Sequence, residues 1–263
     1  MTNANTKLLD AITSRALDLQ RLTAGQLRDA RRFLGELEGD LVAQIAKFDP
    51  TGVSAPKRQA ARLDKMLKQV RETVRASYRG ESKRLIGELR ELADMEATWA
   101  ATSVNKVVGV DIMTTGVTRN QRTALVADVL IEGATLKRFQ DNMRLGIAQG
   151  ETNAQLIRRV RGGKQNGDVV KGFMNISRRN ADTLVRSATQ AVSQKARQAT
   201  YEQNDSLIKA LMWVSTIDLR TTVDCSTRDG MTYTVDTHEP IDHSLPWGAG
   251  PGNLHWGCRS TSA

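Results

Sequence analysis

The sequence predicts a mainly α-helical protein with long helices and helical hairpins, followed by a small C-terminal α+β module. Apolar residues make up 40% of the chain but aromatic residues only 4%, a balance that favours helices over sandwiches or barrels. Before residue 206, apolar residues recur at three- and four-residue steps, which is the period of an amphipathic helix. After it, short alternating segments and glycine-rich loops take over, and these are typical of strands and turns.

Residues 1–104 are predicted to form an elongated helical hairpin or arm. A first helix is expected over 7–22, and Thr23-Ala-Gly-Gln26 has the pattern of a capping box that begins a second helix. A third helix is expected from Pro56, with Gly80 as the point where it bends or breaks. The apolar stripe of the second helix consists of Leu27, Ala30, Leu34, Leu37, Leu41 and Ile45.

Residues 105–118 lose the helical period and are predicted to be a linker. A helical domain is expected over 119–205, where Gly150 ends one helix and Thr152-Asn-Ala-Gln155 caps the next. Its predicted segments are helices over 119–132, 134–149 and 152–161, a basic loop over 161–167 and a long helix over 178–203.

Residues 206–263 are predicted to form a compact Cys/His module with short strands. Residues 210–216 alternate as a strand does, and 231–235 form a second strand after the turn signal Arg228-Asp-Gly230. A loop rich in glycine and proline, 246–252, then leads into His255 and Cys258.

The charge of the chain is unevenly distributed along the sequence. The net charge is +9, yet residues 206–263 carry four basic and six acidic residues, so the helical body carries +11. A basic body fits contact with nucleic acid or with an acidic partner, and a merely solvated helical surface is the alternative. No recognition-helix motif indicates sequence-specific reading. The candidate contact residues are Arg158, Arg159, Arg161, Lys164, Arg178 and Arg179.

Both cysteines and all three histidines of the chain lie between Cys225 and Cys258. The pair His255-Trp-Gly-Cys258 has the spacing of zinc ligands, Cys225 is a third candidate, and His243 or His238 a fourth. Thr222 stands where a complete Cys-x-x-Cys pair would have its first cysteine. The alternatives are a buried pair of free thiols, a disulfide and a hydrogen-bonded structural cluster.

Catalysis is a weaker interpretation of the same residues, so we expect no enzymatic activity. A cysteine with His255 has the types of a nucleophile and its base, but a histidine three positions from a cysteine is more readily a co-ligand. The aspartates of the module match no ligand loop for a divalent ion. Because four residues follow Arg259, no appended catalytic domain is expected.

No apolar segment near Met1 is typical of a signal peptide, and no run of apolar residues reaches membrane-spanning length. We therefore expect a soluble protein that is made in a cytoplasm and has no membrane span.

The order of motifs in the C-terminal part resembles the phage Mu protein F-like, or minor head morphogenesis, family of tailed bacteriophages. The resemblance covers about residues 119–259. Its matching pieces are Gly146-Ile-Ala-Gln-Gly-Glu-Thr152, Ala181-Asp-Thr-Leu-Val-Arg186, Trp213-Val-Ser-Thr-Ile-Asp218, Asp218-Leu-Arg-Thr221, Cys225, Asp229-Gly230 and His255-Trp-Gly-Cys-Arg259. The sequence departs from the family pattern at Thr222, where a cysteine is common, at Arg186-Ser-Ala188 in place of Arg-Thr-Glu, and at Leu254 in place of proline.

This resemblance implies a minor structural protein of the phage head, present in the virion and acting in head assembly at or near the portal. It implies the portal protein and the major capsid protein as partners, and a role in genome packaging or ejection. Packaged DNA is a further partner that the basic body would suit. The alternatives are a non-specific DNA-binding virion protein and a metal-dependent nuclease or effector-like enzyme.

Overall fold

The computed structural model describes residues 4–48, 56–109, 132–165 and 168–263. The chain divides into two compact units, each assembled from separate segments. The first unit comprises Met1–Gln26, Leu85–Val129 and Thr183–Ala263, and the second comprises Leu27–Arg84 and Leu130–Asp182. Helices dominate the described part of the chain, and a small module of short antiparallel strands follows them. The predicted fold class is therefore confirmed.

Five long or medium helices precede the module within the described residues. They are α1 (Ala4–Lys47), α2 (Pro56–Val108), α3 (Glu132–Ala148), α4 (Asn153–Arg161) and α5 (Phe173–Glu202). The helix boundary predicted at Thr23 is wrong, because α1 runs through it and the Thr23 hydroxyl donates to the Leu19 carbonyl at 2.7 Å. Likewise, α2 continues through Gly80 without a break.

The predicted linker is corrected in its first four residues, since α2 ends only at Val108. Residues 110–131, which hold the rest of the linker after Gly109 and all but the last residue of the helix predicted over 119–132, lie outside the described residues. The domain boundaries proposed at 104, 118 and 205 stay predictions. The capping box of α4 is confirmed. The backbone N–H of Gln155 donates to the Thr152 hydroxyl, and the backbone N–H of Thr152 donates to the side-chain oxygen of Gln155.

The second unit has its own apolar core, and it contains a hairpin where a loop was predicted. Strand β1 (Gly162–Gln165) pairs antiparallel with β2 (Asp168–Lys171). The predicted loop at 161–167 is therefore corrected to a strand over most of its length. A side chain at Gly172 would collide with the Val160 carbonyl, so this hairpin joins α4 and α5 only through glycine. The core includes Leu34, Leu41, Val70, Val74, Phe139, Met143, Leu156, Val160, Phe173 and Met174.

The first unit contains a four-stranded antiparallel sheet in the order β5-β4-β3-β6. Its strands are β3 (Ala210–Val214), β4 (Thr232–Thr234), β5 (Pro240–Ile241) and β6 (Thr261–Ser262), which confirms the two strands expected near 210 and 231. Leu211 faces Tyr233 across the sheet, and Trp213 faces Ser262. Trp213 and Tyr233 are fully buried and contact the Trp247 ring, so aromatic packing organises a module with little apolar mass.

A buried charge network lies within the first unit. Glu96 and Arg197 are both completely buried, and the Arg197 Nε atom donates to the Glu96 carboxylate at 2.6 Å. Arg15 donates to the other oxygen of Glu96 at 2.8 Å. Arg197 also donates to the Thr261 hydroxyl on β6 at 3.1 Å and lies 4.5 Å from the Trp99 ring centre. The network thus connects α1, α2, α5 and the last strand.

No helix in the described residues is long and apolar enough to cross a membrane.

Candidate functional site

The site forms where a one-turn helix, α6 (Val223–Ser226), meets the loop that carries His255 and Cys258. Thr222 caps α6, and its hydroxyl accepts from the Cys225 amide at 3.4 Å. The turn places the Cys225 side chain inward, where it is 4% exposed. In the facing loop, Gly257 adopts a φ of 75°, and the Cys258 amide donates to the His255 carbonyl at 3.1 Å. This tight turn brings both loop ligands to the same side.

The side chains of Cys225, His255 and Cys258 meet in one cluster, with their ligand atoms all within 4.8 Å of one another. The two sulfur atoms are 3.7 Å apart, and the Cys225 sulfur is 3.2 Å from Nε2 of His255. A tetrahedral ion with Zn–S bonds of about 2.3 Å would place two sulfurs about 3.8 Å apart. The cluster therefore has the atoms and the spacing to bind a metal ion.

The His255 ring is oriented by a second hydrogen bond. Its Nδ1 atom lies 3.0 Å from the Trp256 carbonyl, so Nδ1 carries the proton and Nε2 can accept from the Cys225 thiol. The hydrogen bond to that carbonyl is the main cause of a raised His255 pKa. The hydrogen bond with Cys225 also raises this pKa, whereas burial lowers it. The arrangement presents the nitrogen that metal binding requires.

Thr222 occupies the remaining side of the cluster. Its hydroxyl lies 2.9 Å from Nε2 of His255. The cysteines are free thiols, and their 3.7 Å separation is well beyond the length of about 2.05 Å of a disulfide. The chemistry available here is thus that of three soft ligands and one hydroxyl.

A bidentate ion pair lies directly beside the cluster. Arg259, which follows Cys258, donates to both Asp218 oxygens at 2.7 and 2.6 Å. This guanidinium and the Arg220 amide hold the pKa of Asp218 well below its usual range. The Thr216 hydroxyl also donates to the Arg259 carbonyl at 3.2 Å. The loop after β3 is therefore tied to the His255–Cys258 motif by geometry as well as charge.

The other two histidines lie away from the cluster. Nε2 of His243 lies 2.8 Å from the Thr232 carbonyl, and Nδ1 accepts from the Leu245 amide at 3.2 Å. His243 therefore lacks a free nitrogen for the ion that the sequence assigned to it. His238 stacks on Trp247 and lies 2.8 Å from Gln198. Both rings support the packing of the module.

The six basic residues proposed for nucleic acid or an acidic partner differ in how far neighbouring carboxylates neutralise them. Arg159 pairs with Glu151 at 2.6 Å, while Arg161 and Arg178 share Glu38 at 3.2 and 2.6 Å. Arg179 is exposed and also has an interaction partner. Arg158 and Lys164 are exposed and form no ion pair with the residues that the structure describes.

Four large apolar side chains on the segments that carry the cluster and the Asp218–Arg259 pair are exposed, which was not predicted from the sequence. Trp256 is 70% exposed although it stands between two buried or half-buried ligands, and Val223 on α6 is 76% exposed. Ile217 and Leu219 flank Asp218 and are also exposed. We call these four residues the apolar patch. The sequence offered one indication of this exposure, which is the position of Trp256 between the two ligands of the His-x-x-Cys motif.

The structure is that of a mainly helical protein that ends in a small antiparallel module with a three-residue Cys/His cluster. A comparison with protein families gives a more specific assignment. Residues 137–263 match the family described as Phage Mu protein F like protein, so the C-terminal part of the chain is similar to that family. The family indicates a bacteriophage head-morphogenesis protein and a virion component. No curated protein and no solved structure matches the chain.

Proposed function

We propose that this protein is a minor structural protein of a tailed-phage head that acts in assembly at or near the portal. In this proposal it contacts the portal protein and the major capsid protein, contributes to genome packaging or ejection, and has no enzymatic activity. The observation that carries the proposal is the family match over 137–263, which spans the whole Cys/His module.

The apolar patch supports a docking role for this module. Large apolar side chains are seldom grouped on a free surface unless a partner covers them, and tryptophan is prominent among residues that dominate binding energy. Here the patch stands on loops fixed by the cluster and by the Asp218–Arg259 pair, so little ordering entropy is lost on binding. A rigid apolar knob of this kind suits a pocket on a portal or capsid ring.

We further propose that the cluster binds Zn²⁺ as a structural ion, with Cys225, His255 and Cys258 as ligands. Both thiols are almost fully buried, which suits a closed structural site better than a catalytic one. Thr222 or water would complete the coordination. The ion would supply the cross-link that a module of short strands otherwise lacks.

The zinc assignment is tested by metal content of the purified chain and by competition with a chelating dye. We expect about one zinc ion per chain and loss of binding in Cys258→Ser. The variant Thr222→Cys should bind zinc at least about tenfold more tightly, since a fourth thiolate replaces a hydroxyl. Thr222→Ala is its matched control. A metal-free wild-type chain, or equal affinity in Thr222→Cys and Thr222→Ala, would contradict the assignment.

The portal role is tested by complementation of a phage lacking this protein. The wild-type chain should be found in purified heads by mass spectrometry and should co-purify with the portal protein. Trp256→Ser should reduce both, while Val169→Ser, which removes a similarly exposed apolar side chain from the hairpin of the second unit, should not. Absence of the wild-type protein from heads would overturn the proposal.

A further inference from the structure

The excess positive charge of the chain belongs to one structural unit. The second unit contains 24 basic and 13 acidic residues, a net charge of +11, whereas the first unit contains 14 basic and 16 acidic residues, a net charge of −2. The two units together account for the +9 of the chain. Charge is thus segregated by fold, since each unit is assembled from segments that are separate in the sequence.

Within the second unit, the exposed face of α2 carries much of this charge. Its buried face contributes Met66, Val70 and Val74 to the core. Eight exposed basic residues occupy the opposite face, and only Asp64 and Glu72 are exposed acids on the same segment. We call this face the basic stripe. Its members are Arg58, Arg62, Lys65, Lys68, Arg71, Arg75, Arg79 and Lys83.

The basic stripe is poorly neutralised by the protein itself. Leaving Arg75 aside, the members form no ion pair with a carboxylate in the residues that the structure describes. The nearby Glu81 is half-buried and is taken by Arg84. The arginines around α4 and α5 differ, because Glu151 and Glu38 already bind three of them. The stripe is therefore the larger uncompensated positive surface.

The chemistry of the stripe favours a polyanion over a protein partner. No large apolar side chain is exposed between residues 58 and 83, whereas protein interfaces rely on apolar and aromatic anchors. The segment from Arg58 to Lys83 rises by about 37 Å at 1.5 Å per residue. That length is close to one turn of duplex DNA, about 34–36 Å.

We infer that the basic stripe of α2 binds the phosphate backbone of double-stranded DNA without reading its sequence. Guanidinium and ammonium groups distributed along about 37 Å of one helix match a row of phosphates, and contacts to phosphates carry no sequence information. The inference goes beyond the head-assembly role. It is tested separately, because DNA binding is measured on the purified chain and incorporation is measured on heads.

The test measures binding of the full chain to a fluorescent 40-base-pair duplex of random sequence, over 50–300 mM salt. The variant Lys65→Gln/Lys68→Gln/Lys83→Gln removes three charges and keeps good helix formers. If all three lysines contact phosphates, the slope of log K against log salt should fall by about 2.7, and affinity at 0.1 M salt by about 500-fold. A loss of at least tenfold with a reduced slope supports the inference.

The matched control is Lys106→Gln/Lys195→Gln/Lys209→Gln, which removes three exposed lysines from the first unit. Its slope should equal that of the wild type. An equal loss in control and test variants would overturn the inference in favour of a general effect of net charge. Failure of the wild-type chain to bind the duplex at 50 mM salt would also overturn the inference. Tighter binding to poly-glutamate than to the duplex, at equal charge, would overturn it in favour of an acidic protein partner.

Discussion

Replacing Glu96 with glutamine should strongly destabilise the first unit. Glu96 is the only carboxylate that pairs with the buried Arg197 in the described structure, and both side chains are fully buried. Its other oxygen receives Arg15 at 2.8 Å. Glutamine keeps the volume but leaves the Arg197 charge uncompensated, and removing one partner of a buried pair costs about 3–5 kcal/mol. For a chain of this size, that loss lowers the Tm by about 6–20 °C.

The assay is urea unfolding followed by circular dichroism, with Glu91→Gln, an exposed carboxylate on the same helix, as the control. The control should change the free energy of unfolding by less than about 0.5 kcal/mol. The double variant Glu96→Leu/Arg197→Met should recover most of the loss, because it removes both charges together. A change below about 1 kcal/mol in Glu96→Gln would refute the assignment of this pair as a buried, mutually dependent one.

Three further predictions concern other contacts. Asp218 has a lowered pKa, so its contribution to stability is present above about pH 4 and is lost as pH falls towards its folded pKa; the variant Asp218→Asn should flatten this acid limb in urea titrations at pH 2–6. Burial raises the pKa of Tyr201 to about 12, so the free energy of unfolding should fall as pH rises above about 10. The variant Tyr201→Phe should reduce that fall. Its stability at pH 7 should be unchanged or higher, because the Tyr201 hydroxyl has no hydrogen-bond partner in the described part of the chain. Gly172→Ala should destabilise the second unit by more than about 2 kcal/mol because of its collision with the Val160 carbonyl, whereas Gly35→Ala, with open space around it, should stabilise α1 by about 0.5–1 kcal/mol, both measured by thermal unfolding.

The helical content was predictable because the apolar period of these segments is regular. Leu34, Leu41 and Val70 are buried as that period requires. The errors came from local signals that tertiary packing overrode. Thr23 begins no helix because α1 continues through it, with Leu19 before it and Leu27 after it both buried. The capping pattern at Thr152 succeeded because the chain does turn there, after Gly150 at a φ of 73°.

The candidate site was predictable in its ligand types and only partly in its membership. Spacing identified Cys225, His255 and Cys258, but proximity in sequence could not separate them from His243, whose ring faces Tyr233 and the backbone of β4. The basic surface was harder still. Sequence counts each arginine equally, while Arg161 and Arg178 both pair with Glu38, more than 100 positions away. Pairings of that range depend on the fold.

The buried charge network also bears on when this protein can fold. Its partners are 81, 101 and 64 positions apart along the chain, from Arg15 to Glu96, Arg197 and Thr261 in turn. On the ribosome, Arg15 and Glu96 emerge long before Arg197 and Thr261, so the network of the first unit is complete only once the final strand is synthesised. The second unit, which ends at Asp182, has no such delay. The second unit can therefore become ordered on the ribosome while the first unit still waits for its last strand.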